Sequence, residues 1–114
     1  MLALSLLLAA CIGQSAGPCG EDALTLSATV TAETMEPGTL EVCRDQEVTL
    51  ELAAETDGVF HIHGYDEHLP AISLTAGETT TVSFTADTAG QFIIELHQAS
   101  DEESEIGVFT VHEQ

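Results

Sequence analysis

His61 and His63 stand one residue apart in the stretch FHIHGYD (residues 60–66), and His97 closes the stretch GQFIIELH (residues 90–97). Neutral imidazole nitrogens are strong ligands for Cu(II), Zn(II) and Ni(II), and carboxylate or water completes such sites. Two imidazoles two positions apart on an extended chain project from one face with Cα atoms roughly 7 Å apart, a spacing at which both rings converge on one ion. His63 precedes a break at Gly64, and His97 ends its stretch before the acidic run QASDEESE, so the two are expected to meet at one end of the folded domain. The candidate metal ligands are therefore His63 and His97, with His61 as a third. Tyr65, Asp66 and Glu95 are candidates either to ligate or to hold an imidazole's second nitrogen from outside. His68 and His112 read as surface residues. Against this stands a second reading, in which His61 and His63 are hydrogen-bonded strand residues and no ion binds.

The elements that must position these side chains show period-two alternation. ALTLSATVTA (residues 23–32) alternates apolar and hydroxyl residues, and TLEVC and EVTLELAA repeat the pattern. EPG and RDQ supply turns between these three stretches. GVFHI, AISL, ETTTVSFTA, GQFIIELH and IGVFTVHE are further strand candidates, and no stretch carries a helical period of useful length. About eight short strands separated by turn signals predict an all-β fold, a two-sheet antiparallel sandwich. Alternation also assigns faces: Phe60 and Ile62 point one way and His61 and His63 the other, while Phe92, Ile94 and Leu96 oppose Ile93, Glu95 and His97.

The chain has 114 residues, 44% of them hydrophobic, which suits one domain with one core. Arg44 is the only basic residue against 20 Asp and Glu, for a formal net charge of −19. Phosphate backbones are repelled by such a chain, which excludes nucleic acid as a partner, and a polybasic route to anionic lipid is absent. No nucleophile elbow, Gly-rich phosphate loop or zinc-protease motif appears, so the sequence predicts a protein that is not an enzyme.

Leu2 to Ile12 form an apolar run broken only by Ser5, too short to cross a bilayer but suited to the core of a signal peptide. The run ends in LLAAC and resembles the lipobox of bacterial lipoproteins, although no basic residue precedes it. That resemblance implies a signal peptide over residues 1–10, a lipid on Cys11, an anchor and tether over 11–20 and a folded domain over 21–114, held extracytoplasmically on a membrane as a periplasmic or outer-surface lipoprotein. Cys19 and Cys43 then remain as an even pair in a compartment that permits disulfides, and are predicted to be bonded. The rival for this pair, two thiolates on copper or zinc, has no histidine near either cysteine in sequence.

From Phe60 to His97 the order HGYD, then LTAGETTTVSFTADTAGQFIIELH, resembles the cupredoxins. The resemblance is strongest to bacterial cupredoxin-like domains related to the periplasmic component of an iron-uptake system and to the binuclear-copper domain of respiratory oxidases. It implies a Greek-key sandwich and a copper cofactor, with His63-Gly64-Tyr65 matching the first ligand motif and Gly77 to Phe92 the strand pair that follows. At the family's cysteine position this chain has Leu96, and its only methionines, Met1 and Met35, both lie upstream. A blue-copper centre needs a soft sulfur ligand, so the expectation is a histidine site for Cu(II) of a different kind. The function expected is that of a membrane-tethered lipoprotein binding copper as a carrier, sensor or accessory to a metal transporter or other envelope protein. A metal-free adhesion or assembly module on the cell surface is the alternative.

Overall fold

Alternation of apolar and polar residues becomes nine strands in a computed structural model, which describes residues 17–114. Residues 1–16, including the predicted signal segment and Cys11, lie outside the described residues. A short 3-10 turn over Gly17–Gly20 leads into β1 (Ala23–Val30), β2 (Met35–Glu36), β3 (Thr39–Cys43), β4 (Glu47–Ala54) and β5 (Gly58–Ile62). β6 (Ile72–Leu74), β7 (Thr79–Thr85), β8 (Gly90–His97) and β9 (Glu103–His112) complete the chain. Each candidate stretch read from the sequence forms a strand; β2, two residues long, carries too little pattern to be seen in advance.

The strands form two sheets, β2-β1-β4-β7 and β3-β9-β8-β5-β6, packed as a sandwich. Most pairs are antiparallel as expected, but β1 with β4 and β3 with β9 are parallel. The reason is topological. Parallel neighbours need a crossover between them, and here the crossover from β1 to β4 is made by β3, which lies in the opposite sheet. Between the sheets lie Val30, Leu50, Leu52, Phe60, Ile62, Ile94, Leu96 and Phe109, all but excluded from solvent.

Two devices close the sandwich. Cys19 and Cys43 form a disulfide with Cα atoms 5.3 Å apart, fixing the chain ahead of β1 to the end of β3. Beside it the buried Gln46 accepts from the Cys43 amide at 2.7 Å and donates to the Glu21 carbonyl at 2.7 Å, while its own carbonyl accepts from the Ala86 amide at 2.9 Å. These bonds explain how a neutral amide side chain is tolerated at 1% exposure.

At the other device β5 runs into a reversal. His63 still donates its amide to the Ile93 carbonyl at 2.8 Å, and Gly64 then takes φ 89°, a conformation that favours glycine. The following turn returns the His68 and Leu69 amides to the Tyr65 carbonyl at 3.1 and 2.9 Å. Its anchor is Tyr65, fully buried against the rings of Phe84, Phe92 and Phe109 at centroid distances of 5.9, 4.7 and 5.4 Å.

Candidate metal centre

β5 and β8 are antiparallel neighbours, with Val59 opposite His97, Phe60 opposite Leu96, His61 opposite Glu95 and Ile62 opposite Ile94. Phe60, Ile62, Ile94 and Leu96 face the core, so His61 and Glu95 share the outer face of the five-stranded sheet. The same alternation puts His63 and His97 on that face, one step beyond along each strand. The candidate imidazoles do assemble, but on a sheet face rather than at the end of the sandwich. The sequence already placed them on the polar side of both strands; the pairing of β5 with β8 then sets the location.

One carboxylate oxygen organises the cluster. Glu95 Oε1 lies 3.6 Å from His61 Nδ1, 3.8 Å from His63 Nδ1 and 3.7 Å from His97 Nε2. Ligand atoms of His61, His63 and Glu95 all fall within 4.8 Å of one another. His97 reaches the shared oxygen from another side and stands outside that compact set, its ring centroid 5.7 Å from that of His61. The other nitrogen of His61 contacts Asp66 Oδ1, which fixes the ring and turns Nδ1 toward Glu95. His61 Nδ1 is buried and has no hydrogen-bond partner among the described residues, since 3.6 Å is too long for one. Such an atom is costly unless something fills the gap.

The separations decide what can fill it. With metal–nitrogen and metal–oxygen bonds of about 2.0–2.2 Å, two ligand atoms on a tetrahedral ion sit roughly 3.3–3.5 Å apart. The distances from Glu95 Oε1, 3.6–3.8 Å, exceed this by a few tenths of an ångström and exceed by more the roughly 2.8–3.1 Å between neighbouring ligands on a tetragonal Cu(II) ion, so the side chains must draw together to close on either. Glu95 is largely buried with its side chain 18% exposed, whereas His63 is 70% exposed, so the site is floored by the sheet and open through His63.

The remaining candidates are placed elsewhere. Tyr65 turns away from the imidazoles into the core, where its hydroxyl donates to the Thr88 carbonyl at 3.2 Å and accepts from the Thr88 amide at 3.1 Å. Burial pushes its pKa upward; the Thr88 backbone bond opposes this, and Asp87 and Asp45 add to it. His68 pairs with Asp87 at 2.9 Å beside the Tyr65 ring, and His112 pairs with Glu41 at 2.9 Å across β9 and β3. Glu95, which the sequence offers either as a ligand or as an outer partner, stands here among the converging ligand atoms. Alternation already put Glu95 on the His97 face, but its place opposite His61 depends on strand pairing.

No family model and no curated protein sequence matches the chain. Solved structures do. The chain is similar to a blue copper oxidase from Nitrosomonas europaea (TM-score 0.62, 16% identity), over 81% of this chain and 39% of that one. It is also similar to auracyanin from the photosynthetic bacterium Roseiflexus castenholzii (TM-score 0.58, 16% identity), over 76% of this chain and 95% of that one. A chain of a heme-copper terminal oxidase dimer aligns over 97% of this chain and 95% of its own length (TM-score 0.64, 14% identity). The match thus spans only about two-fifths of the blue copper oxidase's length. The fold is that of a small cupredoxin-like β-domain, and the metal-capable group among its described residues consists of histidines and a glutamate, with no cysteine or methionine.

Proposed function

We propose that the outer-face cluster holds a divalent transition metal, Cu(II), on His61, His63 and Glu95, and that the protein is a membrane-tethered carrier, sensor or transport accessory for it. The observation that carries this is the convergence of two imidazoles and a carboxylate within 4.8 Å, with a buried, unbonded His61 nitrogen turned inward. A blue-copper centre does not fit these residues. Leu96, at the family's cysteine position, is fully buried in the core on the opposite face from His61 and Glu95. A nitrogen and oxygen donor set suits Cu(II), and Zn(II) and Ni(II) after it. An open site without thiolate favours uptake and release of the ion over electron transfer, and the copper proteins sharing the fold make copper the first ion to test. The tether rests on LLAAC and the Gly- and Pro-containing stretch after it, and the Cys19–Cys43 disulfide suits an extracytoplasmic compartment.

Titration of the protein with Cu(II), Zn(II) and Ni(II) tests the metal reading. His61→Ala and His63→Ala are each expected to weaken Cu(II) binding by about tenfold or more, while His112→Ala leaves it unchanged. Equal binding by all variants, or none by the parent, returns the cluster to an ion-pair network and favours the adhesion-module alternative. Cys11→Ser is expected to release the protein from the membrane; unchanged detergent partitioning rules out the tether.

A further inference from the structure

We infer that β7 pairs antiparallel with β7 of a second copy of this chain, joining two four-stranded sheets into one across a two-fold axis at Val82. Among the described residues the two sheets end in four edge strands, β2 and β7 in one and β3 and β6 in the other. Three of them are blunted. β2 has two residues and is followed by Pro37, and β6 has three and is preceded by Pro70-Ala71. β3 carries the exposed Glu41 and is tied at its end to Cys19 of the 3-10 turn. Short strands, prolines and edge charges are the devices that keep a free edge from pairing. β7, seven residues reading TTTVSFT, has none of them.

Backbone parity shows which groups face outward. β4 and β7 keep one register from Glu47 opposite Thr85 to Ala53 opposite Thr79. Beyond one end the Ala54 amide donates to the Glu78 carbonyl at 3.0 Å, and beyond the other the Ala86 amide donates to the Gln46 carbonyl at 2.9 Å. Even-numbered residues of this stretch therefore turn their backbone groups toward β4, and Thr79, Thr81, Ser83 and Thr85 turn theirs past the edge. A two-fold axis at Val82 sets Thr81 against Ser83 of the second copy and Thr79 against Thr85, so outward groups meet outward groups. Side chains match as well. Hydroxyl opposes hydroxyl on the exposed outer face, while on the inner face the half-buried Val82 meets its own equivalent and Phe84 meets Thr80.

Charge selects the occupant. With a formal charge of −19 the chain repels its own copies over most of its surface. Thr79–Thr85 is uncharged, and just outside it Glu78 falls opposite Ala86 and Asp87 opposite Gly77, so no two carboxylates face each other across the axis. Pairing of β7 with a different edge would propagate into a filament, but those edges are blunted; the self-complementary contact closes at two copies. The histidine cluster lies in the other sheet, so the dimer leaves His61, His63 and Glu95 open.

Sedimentation equilibrium of the 114-residue chain carrying Cys11→Ser, which removes a thiol able to bridge copies, measures the association. Hydrogen exchange read by mass spectrometry over residues 79–85 locates it. The parent is expected to dimerise, more tightly at 1 M than at 0.1 M salt because the Debye length falls from about 10 to about 3 Å, and to slow exchange at 79–85 as concentration rises. Thr81→Pro removes an outward donor and no bond to β4, so the monomer is expected to fold while dimerisation weakens by about tenfold or more. The double variant Thr81→Glu, Ser83→Glu sets carboxylates opposite each other across the axis and is expected to dissociate the dimer most at low salt. A parent that stays monomeric up to about 1 mM overturns the proposal. A dimer indifferent to both variants, or growth into open-ended assemblies, also overturns it. Protection at 79–85 that is independent of concentration does so too, because the chain's own residues then cover the edge.

Discussion

Glu95→Gln separates a metal site from an ion-pair network. The substitution keeps the shape and one oxygen of the side chain but removes the charge shared by His61, His63 and His97. Replacing a partner that merely orients a ligand costs roughly 10–100-fold in metal affinity. Glu95 is placed as a ligand, so that range is a minimum, equivalent to about 1.4–2.7 kcal/mol. Folding stability without metal should respond far less. The imidazole contacts at 3.6–3.8 Å are longer than hydrogen bonds, and partly exposed pairs of this kind contribute about 1 kcal/mol or less. Chelator competition with Cu(II) measures the first quantity and urea denaturation of the metal-free protein the second. Glu41→Gln is the control, because Glu41 pairs with His112 across β3 and β9. If Glu95→Gln binds within about twofold of the parent while His61→Ala and His63→Ala bind weakly, the carboxylate is not a ligand. If instead the metal-free protein loses several kcal/mol, the cluster is a structural network and the distance argument fails.

Tyr65→Phe should cost about 1–3 kcal/mol, since it strips the Thr88 amide and carbonyl of their shared partner. Because burial raises the Tyr65 pKa, the folded state keeps a proton that the unfolded chain gives up above pH ~10. Stability in the parent is therefore intact below that pH and falls as pH rises through the raised value; denaturation at stepped alkaline pH should show this fall diminished in Tyr65→Phe. Gly107→Ala places a Cβ 2.6 Å from Met35 Cε and 2.7 Å from the Gly38 carbonyl oxygen. The methionine can swing aside but the backbone oxygen, which also accepts from the Val108 amide, cannot, so a loss of about 1–3 kcal/mol in thermal unfolding is expected. Cys19→Ser opens a loop of sequence separation 24 and should cost about 3 kcal/mol, with Cu(II) affinity unchanged because β3 and β5 are separated by β9 and β8 in the sheet.

Side-chain direction along a strand is a local property, and the sequence by itself determined what depends on it. Alternation marked the longer strands, put Phe60 and Ile62 in the core, set His61 and His63 on the polar side of their strand and placed Glu95 with His97 on the polar side of theirs. The Cys19–Cys43 bond is predicted from a count as well, once Cys11 is set aside for a lipid. Which strands become neighbours is decided by contacts between residues far apart in sequence, and no local pattern encodes it. Only the tertiary structure set β5 against β8 so that His61 meets Glu95, and only it made β1 and β4, and β3 and β9, parallel. The register shift between Ile94 and Glu95, where β9 carries the extra residue Ile106 and which sets Glu105 opposite Glu95 and Glu103 opposite His97, is likewise a property of two paired strands. Tyr65 shows the same limit from the other side. Beside His63-Gly64 it reads as part of a ligand motif, but the positive φ of Gly64 turns the chain, and the aromatic side chains of three other strands take the ring into the core.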